Sequence, residues 1–230
     1  MLTVFMSRYL PTIAINSVGR DGRLRVLGLP IAPGSLFAYV ITFCSVALVL
    51  LMPIVGAFAD RAGRYRVMLF GFAYLGAASC AAMVFVGDTD WVLGALLFAA
   101  AFLNYSCAKV IYNSLLIRLA EPDARDRVSS IGWAAGYLSS GILLALNFGA
   151  SFVITDSARL VRLSLCSAGL WWAVFSLFAL RFLRRLPPTA PSPSPSGQKV
   201  VLLAGFAELR NTLFQMGRFP QTLRLMQKSP

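Results

Sequence analysis

Residues 36–58 read LFAYVITFCSVALVLLMPIVGAF and contain no charged side chain. The uncharged region around them extends from Arg25 to Asp60. A helix needs about 20 predominantly apolar residues to cross the hydrocarbon core of a bilayer. Because Leu36–Phe58 meets that length, it predicts a membrane-spanning helix and makes lipid the expected solvent of the chain.

Further apolar runs follow at short intervals along the chain. They are Val67–Gly87, Trp91–Ile117, Val128–Thr155 and Leu163–Leu180. Lys109 is the single charged residue within them. No soluble fold needs so many such runs in succession, since helices of a soluble protein keep a polar face. The runs therefore predict an all-α fold, a polytopic transmembrane helix bundle with about six spans.

The N-terminal segment Leu2–Val18 is apolar but contains Arg8 and Pro11. A charge and a proline both disfavour the interior of a spanning helix. Three interpretations fit: a short first span, a re-entrant segment, or the end of a helix whose beginning is absent. We favour the third, and without this segment the number of crossings falls to five.

The composition agrees with a membrane environment. Hydrophobic residues make up 58% of the 230-residue chain and charged residues 13%, whereas a soluble domain carries about 25% charged residues. The net charge of +12 suggests nucleic acid, but the arginines lie between apolar runs and form no basic face with interleaved aromatic residues. We expect a lipid bilayer, and not nucleic acid, as the partner.

The residues that enzymes and metal sites use are scarce. The chain has no histidine, which removes imidazole as a base, metal ligand or proton carrier. Each cysteine falls in a different apolar run, so neither a disulfide framework nor a zinc site is expected. The cysteines are Cys44, Cys80, Cys107 and Cys166. With no paired catalytic acids and no glycine-rich phosphate loop, we expect no enzyme activity, catalytic residue, metal or cofactor.

Arginine-rich connections should lie on one side of the membrane if the spans alternate. Segments 60–66, 118–127 and 181–185 each carry three arginines, and the positive-inside rule puts them in the cytoplasm. The opposite side has Asp88 and Asp90 in one connection. The connection at 20–25 disagrees, because its three arginines fall on the predicted outer side.

The composition changes after Arg185. Residues 187–197 read PPTAPSPSPSG, which predicts a stiff, solvated cytoplasmic linker over 187–198. Apolar residues in segment 199–230 then recur at helical spacing, at Phe206, Leu209, Leu213 and Met216. This spacing predicts a cytoplasmic amphipathic segment leading to a missing seventh span, with a disordered tail as the alternative. Residues 1–186 would form the transmembrane six-helix unit, with its first helix incomplete.

One cytoplasmic connection has a distinctive pattern of glycine and charge, GAFADRAGRYR at 56–66. Carboxylates are favoured near helix N-termini and arginines near C-termini, so this cluster is suited to latch neighbouring helices in one conformation. Glycine there permits close packing and a tight turn. The alternative is a plain basic loop. The candidate latch residues are Gly56, Asp60, Arg61, Gly63 and Arg64.

This connection resembles the loop signature of the major facilitator superfamily, G-x-x-x-D-R-x-G-R-[KR], with Tyr65 in place of the last basic residue. Residues 112–137, YNSLLIRLAEPDARDRVSSIGWAAGY, are similar to the vacuole effluxer family of that superfamily. The sequence departs from the family at Ile117, where proline is usual, and at Ser139 and Ser140, where glycine is common. The resemblance extends over residues 33–224.

The resemblance implies a transporter with about twelve spans that exports amino acids or other small solutes by alternating access. This chain would be its N-terminal half, a fragment inactive alone, completed by a second half or by self-association. The membrane would be a bacterial inner membrane or a vacuolar membrane. A non-transporting membrane scaffold or regulator is the alternative, with the C-terminal segment binding a partner.

Polar residues in two of the apolar runs are candidates for a solute path. They are Asn104, Lys109, Tyr112, Asn113 and Asn147. For Asn147 the alternative is a hydrogen bond to another helix. A lysine within a span is costly unless it faces a cavity or a partner. Because Lys109, Tyr112 and Asn113 share one helical face, Lys109 is a candidate counter-charge for a carboxylated substrate. Alternatively, its ammonium extends to the cytoplasmic headgroups.

Glycines in the run Val128–Thr155 are candidates for helix packing or for a hinge. Gly132 and Gly136 have the GxxxG spacing that permits close helix contact, and Gly141 follows them. The tryptophans are expected to anchor helices at the membrane interface and to pack. They are Trp91, Trp133, Trp171 and Trp172.

Overall fold

The computed structural model describes residues 2–26, 28–62, 64–119 and 122–183. Within them lie the helices α1 (Leu2–Val18), α2 (Leu36–Ala62), α3 (Tyr65–Ala81), α4 (Trp91–Leu119), α5 (Arg125–Ala150) and α6 (Ser157–Leu183). Short 3-10 turns occur at Pro33–Ser35, Ala82–Phe85 and Pro122–Ala124. This architecture confirms the predicted all-α bundle. The predicted linker at 187–198 and amphipathic segment at 199–230 lie outside the described residues.

Helices α2 to α6 are the 5 described helices that are long and apolar enough to cross a membrane. The first of these spans, Pro33–Gly56, has a mean hydropathy of 2.4. Helix α1 has 17 residues and is continuous through Pro11. At a rise of about 1.5 Å per residue it is roughly 26 Å long, slightly less than the roughly 30 Å hydrocarbon core.

The helix ends differ from the ends of the apolar runs because hydrogen bonds, and not hydropathy, set them. Helix α6 begins at Ser157 and not at the predicted Leu163. The Asp156 carboxylate accepts hydrogen bonds from the backbone N–H groups of Ala158 at 3.0 Å and Arg159 at 3.3 Å, which is N-terminal capping. Similarly, α5 ends at Ala150, and residues 151–155, where the prediction continued the span, form a turn at 151–153 followed by irregular chain.

The core is divided into two clusters. One joins α1 to the adjoining parts of α2, α3, α4 and α6, and its fully buried members include Leu10, Phe98 and Leu165. The other joins α2, α3 and α4 around Ala59, Tyr65 and Ile111. Because lipid tails are as apolar as these side chains, close packing holds the helices together more than exclusion from water does.

Helices α3 and α6 lie close together at two glycines. A Cβ added to Gly169 would lie 2.5 Å from the backbone nitrogen of Ala81 and 2.6 Å from the carbonyl oxygen of Ala77. A Cβ added to Gly76 would collide with the Trp172 ring. The absence of both side chains therefore lets α6 approach the backbone of α3, as small residues commonly do in membrane bundles.

Helix α5 is packed more sparsely than its neighbours. In its candidate span 6% of the residues are buried, compared with 33% in those of α3 and α4. Its buried residues are Leu143 and Asn147, both in its second half. Large apolar side chains such as Ile131 and Leu138 are exposed. The described part of the chain therefore leaves much of α5 uncovered.

A two-stranded antiparallel hairpin between α1 and α2 is absent from the sequence-based prediction. Leu24–Val26 pairs with Leu29–Ile31. Gly28, in the connection, has a φ of 82°, which favours glycine because this residue has no Cβ. Strands of three residues are too short for an alternating pattern to be recognised. Three arginines disagree with the predicted orientation. Arg25 lies on this hairpin, Arg23 immediately precedes it, and Arg20 lies four residues before its first strand.

An ion pair and two hydrogen bonds join α1 and α6 to the α3–α4 connection at one end of the bundle. Arg162 of α6 lies 3.4 Å from the Asp88 carboxylate and donates a hydrogen bond to the Val86 carbonyl at 3.0 Å. Asn16, near the end of α1, donates to the Asp88 carbonyl at 3.3 Å. The ends of α1 and α3 and the start of α6 therefore lie together, as alternating spans require.

Candidate functional site

The ammonium group of Lys109 extends from α4 to α5. Its Nζ atom lies 4.7 Å from the centroid of the Trp133 ring. A cation over an indole face is attracted by the ring quadrupole, and such a contact contributes about 0.5–2 kcal/mol. Lys109 is exposed, and it forms no ion pair with the described residues. Its charge is therefore held by an aromatic ring and not by a carboxylate.

Tyr112, one turn after Lys109, also contacts α5. A Cβ added to Gly132 would lie 3.0 Å from the Tyr112 hydroxyl oxygen, so glycine leaves room for this ring. Tyr137 extends the aromatic surface of α5, with its ring centroid 5.9 Å from that of Trp133. Two adjacent residues of α5 thus meet two residues of one face of α4. This is the α4–α5 site: Lys109, Tyr112, Gly132, Trp133 and Tyr137.

The two asparagines of α4 have different surroundings. Asn113 is exposed and lies on the face of Lys109 and Tyr112. Asn104 is half-buried, and its amide donates to the Ala100 carbonyl of its own helix at 2.8 Å. Its Cβ lies 3.2 Å from the position that a Cβ on Gly76 would occupy. Asn104 therefore faces α3 and is not part of the α4–α5 site.

Asn147 joins α5 to α6. Its amide donates to the Ser167 hydroxyl at 3.2 Å and to the Leu143 carbonyl at 2.8 Å, and the Ser167 hydroxyl donates to its carbonyl oxygen at 3.3 Å. Asn147 is 9% exposed. It lies 14 residues after Trp133, about 21 Å along the helix. The predicted solute-path residues therefore fall into three separate places.

Asn147 and Ser167 also lie at an open apolar groove between α5 and α6. The groove has a volume of about 520 Å³. Its lining comprises Leu143, Leu146, Asn147, Ser167, Leu170, Trp171, Val174 and Phe175. Trp171 donates its indole N–H to the Ser139 hydroxyl at 2.8 Å. Because the polar atoms of Asn147 and Ser167 bond to each other, they serve the helix–helix contact.

The predicted latch connection lies at the opposite end from the hairpin. The side chains of Asp60 and Arg61 and all of Gly63 lie outside the described residues. Arg64 is exposed at the N-cap of α3. A Cβ added to Gly56 would meet nothing within 4 Å among the described residues. The latch role stays a prediction.

Tyr65 explains one departure from the loop signature. It stands where the signature has a basic residue, yet it is 1% exposed. Its ring packs in the second core cluster with Ala59 and Leu115. A basic side chain at this position would have to leave the core, so Tyr65 anchors the start of α3. The loop signature specifies charge at this position and therefore does not indicate a packing role.

The glycines of α5 differ in their surroundings. Gly132 lies against Tyr112, whereas a Cβ on Gly136 or Gly141 would meet nothing within 4 Å. Close packing at the GxxxG spacing therefore occurs at its first glycine within the described chain. Roles of Gly136 and Gly141 in packing or in a hinge stay predictions.

Trp133 is the residue of the site that sequence reasoning missed. It was expected to be an interface anchor, and its contact with Lys109 joins positions 24 residues apart on different helices. Spacing along one helix reveals which residues share a face, but not which residue of a neighbouring helix they meet. The signal available was chemical: an indole and a lysine in adjacent spans form a favourable pair.

Comparison with known proteins identifies the family. Residues 14–227 match the family described as vacuole effluxer Atg22 like. A relative named uncharacterized MFS-type transporter YxiO, from Bacillus subtilis (strain 168), is 26% identical over 60% of this chain and 34% of its own length. No solved structure matches the chain.

Fungal relatives are also similar. Autophagy-related protein 22 of Pyricularia oryzae is 22% identical over 76% of this chain and 34% of its own length. Autophagy-related protein 22-1 of Phaeosphaeria nodorum is 24% identical over 83% of this chain and 40% of its own length. The chain thus spans between about a third and two fifths of these relatives. With its apolar helices and this family match, it is an integral multi-pass membrane protein of the vacuole effluxer Atg22-like family.

Proposed function

We propose that the chain forms one half of a major facilitator-type transporter that exports amino acids or similar carboxylated solutes. Membership of the Atg22-like family and similarity to an MFS-type transporter support a membrane transporter. The surroundings of Lys109 are the observation that favours a carboxylated solute. Its ammonium lies over Trp133 with no carboxylate partner among the described residues, so the charge remains available to a substrate.

The α4–α5 site would form one wall of the solute path. Secondary transporters bind solute between two repeats that move against each other. The uncovered face of α5 supports such an arrangement, because exposed tyrosine and tryptophan rings alternate there with glycines. A second six-helix body, supplied by another chain, would form the opposite wall. The chain alone would then not transport.

In this proposal a solute carboxylate replaces Trp133 as the partner of Lys109. An ion pair with a hydrogen bond inside a site shielded from water is stronger than a cation–π contact. Tyr112 and Asn113, on the same face of α4, would donate further hydrogen bonds to the solute. Release would return the ammonium to the indole ring, which spares the cost of an unpaired charge in the membrane.

Solute exchange in proteoliposomes tests this role of Lys109. The chain is reconstituted together with the C-terminal half of a longer family member, and uptake of labelled amino acids is measured. Lys109→Gln should lower kcat/KM by about 10- to 100-fold, since a hydrogen bond to a charged group contributes about 1.5–3 kcal/mol. Lys109→Arg should retain more activity because it keeps the positive charge.

Two controls separate charge recognition from general damage. Arg159→Gln removes an exposed positive charge near the start of α6 and should leave uptake unchanged. Decarboxylated amines, offered in place of the amino acids, should be transported equally by the wild type and by Lys109→Gln. Equal loss of amino-acid and amine transport in Lys109→Gln would contradict recognition of the carboxylate.

A further inference from the structure

The hairpin between α1 and α2 has a continuous apolar face. Cross-strand partners in an antiparallel pair share one face, and the pairs Leu24–Ile31 and Val26–Leu29 both consist of apolar residues. Leu24 is 1% exposed within the first core cluster, and Ile31 packs against that cluster. Leu29 is 67% exposed. The apolar face therefore starts on the helix bundle and continues beyond its edge at Leu29.

The opposite face of the hairpin is basic. Side chains alternate between the two faces of a strand, so Arg25, which follows Leu24, lies on the face away from the core. Arg23 immediately precedes the strand. Arg20 lies four residues before the first strand, and Asp21 offsets one of the three charges. All three arginines are exposed. Their side chains form no ion pair or hydrogen bond with the described residues.

The hairpin lies between the end of α1 and the start of the α2 span, where that span would leave the membrane. Gly19 ends α1 with a φ of 80°, and the 3-10 turn at Pro33–Ser35 starts the span of α2. An amphipathic element at this level places its apolar face toward the acyl chains and its charged face at the headgroups. Leu29 is exposed, as contact with acyl chains requires. Arg25 lies on the opposite face, which would meet the headgroups.

We propose that this hairpin is a binding site for anionic phospholipid headgroups of the adjoining leaflet. Guanidinium groups donate paired hydrogen bonds to phosphate oxygens. The exposed Leu29 selects a lipid over a soluble anion, because its side chain gains from contact with acyl chains and gains nothing from a dissolved phosphate. The arginines that conflict with the positive-inside pattern then have a partner on their own side of the membrane. This inference is independent of the transport proposal.

Native mass spectrometry of retained lipid tests the proposal. The full chain is reconstituted in vesicles of phosphatidylcholine mixed with phosphatidylglycerol and then released, and the ratio of the two bound lipids is measured. The wild type should be enriched in phosphatidylglycerol. Arg25→Gln should lower the enrichment about fivefold, corresponding to about 1 kcal/mol for each arginine near an anionic surface. The triple variant R20Q/R23Q/R25Q should lose the enrichment.

Two further variants make the test specific. Arg159→Gln removes an exposed charge at the same end of the bundle but outside the hairpin, and it should keep the wild-type ratio. Leu29→Ser keeps every charge but should weaken lipid retention, while dissolved glycerol phosphate should not displace the lipid. The proposal is overturned if the wild type shows no preference for phosphatidylglycerol, or if Arg159→Gln and Arg25→Gln lower it equally.

Discussion

Gly169 illustrates how one residue without a side chain determines a helix contact. The position that its Cβ would occupy is 2.5 Å from the backbone of α3. The atoms in the way belong to the main chain of Ala77 and Ala81, which move only if the helix moves. In a bundle surrounded by lipid, such close contacts are a main source of helix association.

Gly169→Ala should therefore destabilise the protein. Forcing a methyl group into a packed contact costs about 1–3 kcal/mol. We expect the thermal unfolding midpoint in detergent micelles to fall, with less helix retained on heating as measured by circular dichroism. The matched variant is Gly141→Ala, where the added Cβ meets nothing within 4 Å. Because alanine is favoured over glycine in a helix by about 1 kcal/mol, Gly141→Ala should not lower the midpoint. An equal fall of the midpoint in both variants would contradict the close contact between α3 and α6 at Gly169.

At the scale of elements, the tie between Arg162 and the α3–α4 connection holds three helix ends together. Arg162 has a side chain 22% exposed, while that of Asp88 is 60% exposed. An exposed ion pair alone contributes little, about 0–1 kcal/mol. The guanidinium also donates a hydrogen bond to the Val86 carbonyl at 3.0 Å. Because the donor is charged, this bond contributes more to the free energy of unfolding than a bond from an uncharged donor would.

Arg162→Gln should lower the free energy of unfolding by about 1–2 kcal/mol, from the lost ion pair and the weaker hydrogen bond. Chemical denaturation in micelles measures this change. The difference from the wild type should shrink at high ionic strength, since salt screens the exposed Asp88 partner. Arg159→Gln, close by on the same helix, should unfold like the wild type. A salt-independent difference would contradict an electrostatic tie.

The spanning helices could be predicted because lipid imposes a strong rule on sequence. Every spanning backbone must satisfy its own hydrogen bonds over about 20 apolar residues, and Leu36–Phe58 shows that rule directly. The hairpin at 24–31 could not be predicted, because its strands have three residues each and depend on the buried Leu24. The start of α6 depends on capping by Asp156, which no hydropathy pattern records.

The candidate site could be predicted only in part. Lys109 was identifiable because a charge within a span requires an explanation. Asn104 and Asn147 lie apart from it, since these side chains face α3 and α6, and their roles in a solute path stay predictions. The polarity of these side chains within apolar runs suggested each candidate. Which candidates lie together depends on contacts between helices, and those contacts depend on packing over the whole bundle.

For the whole molecule, the sparse packing of α5 is the central observation. A span with 6% of its residues buried contrasts with well-packed neighbours, and the chain spans 34% of the bacterial relative. Both observations agree with our proposal that a second body completes an enclosed path. Alternating access requires two bodies that move against each other.

The most direct test of this account is solute exchange by matched proteoliposomes that contain this chain alone, or this chain with the C-terminal half of a longer family member. Blue native electrophoresis first verifies that both preparations are folded and that the two halves associate. We predict exchange of labelled amino acids by the pair and none by the chain alone. A folded, associated pair that exchanges no amino acid would contradict the account and favour a membrane scaffold.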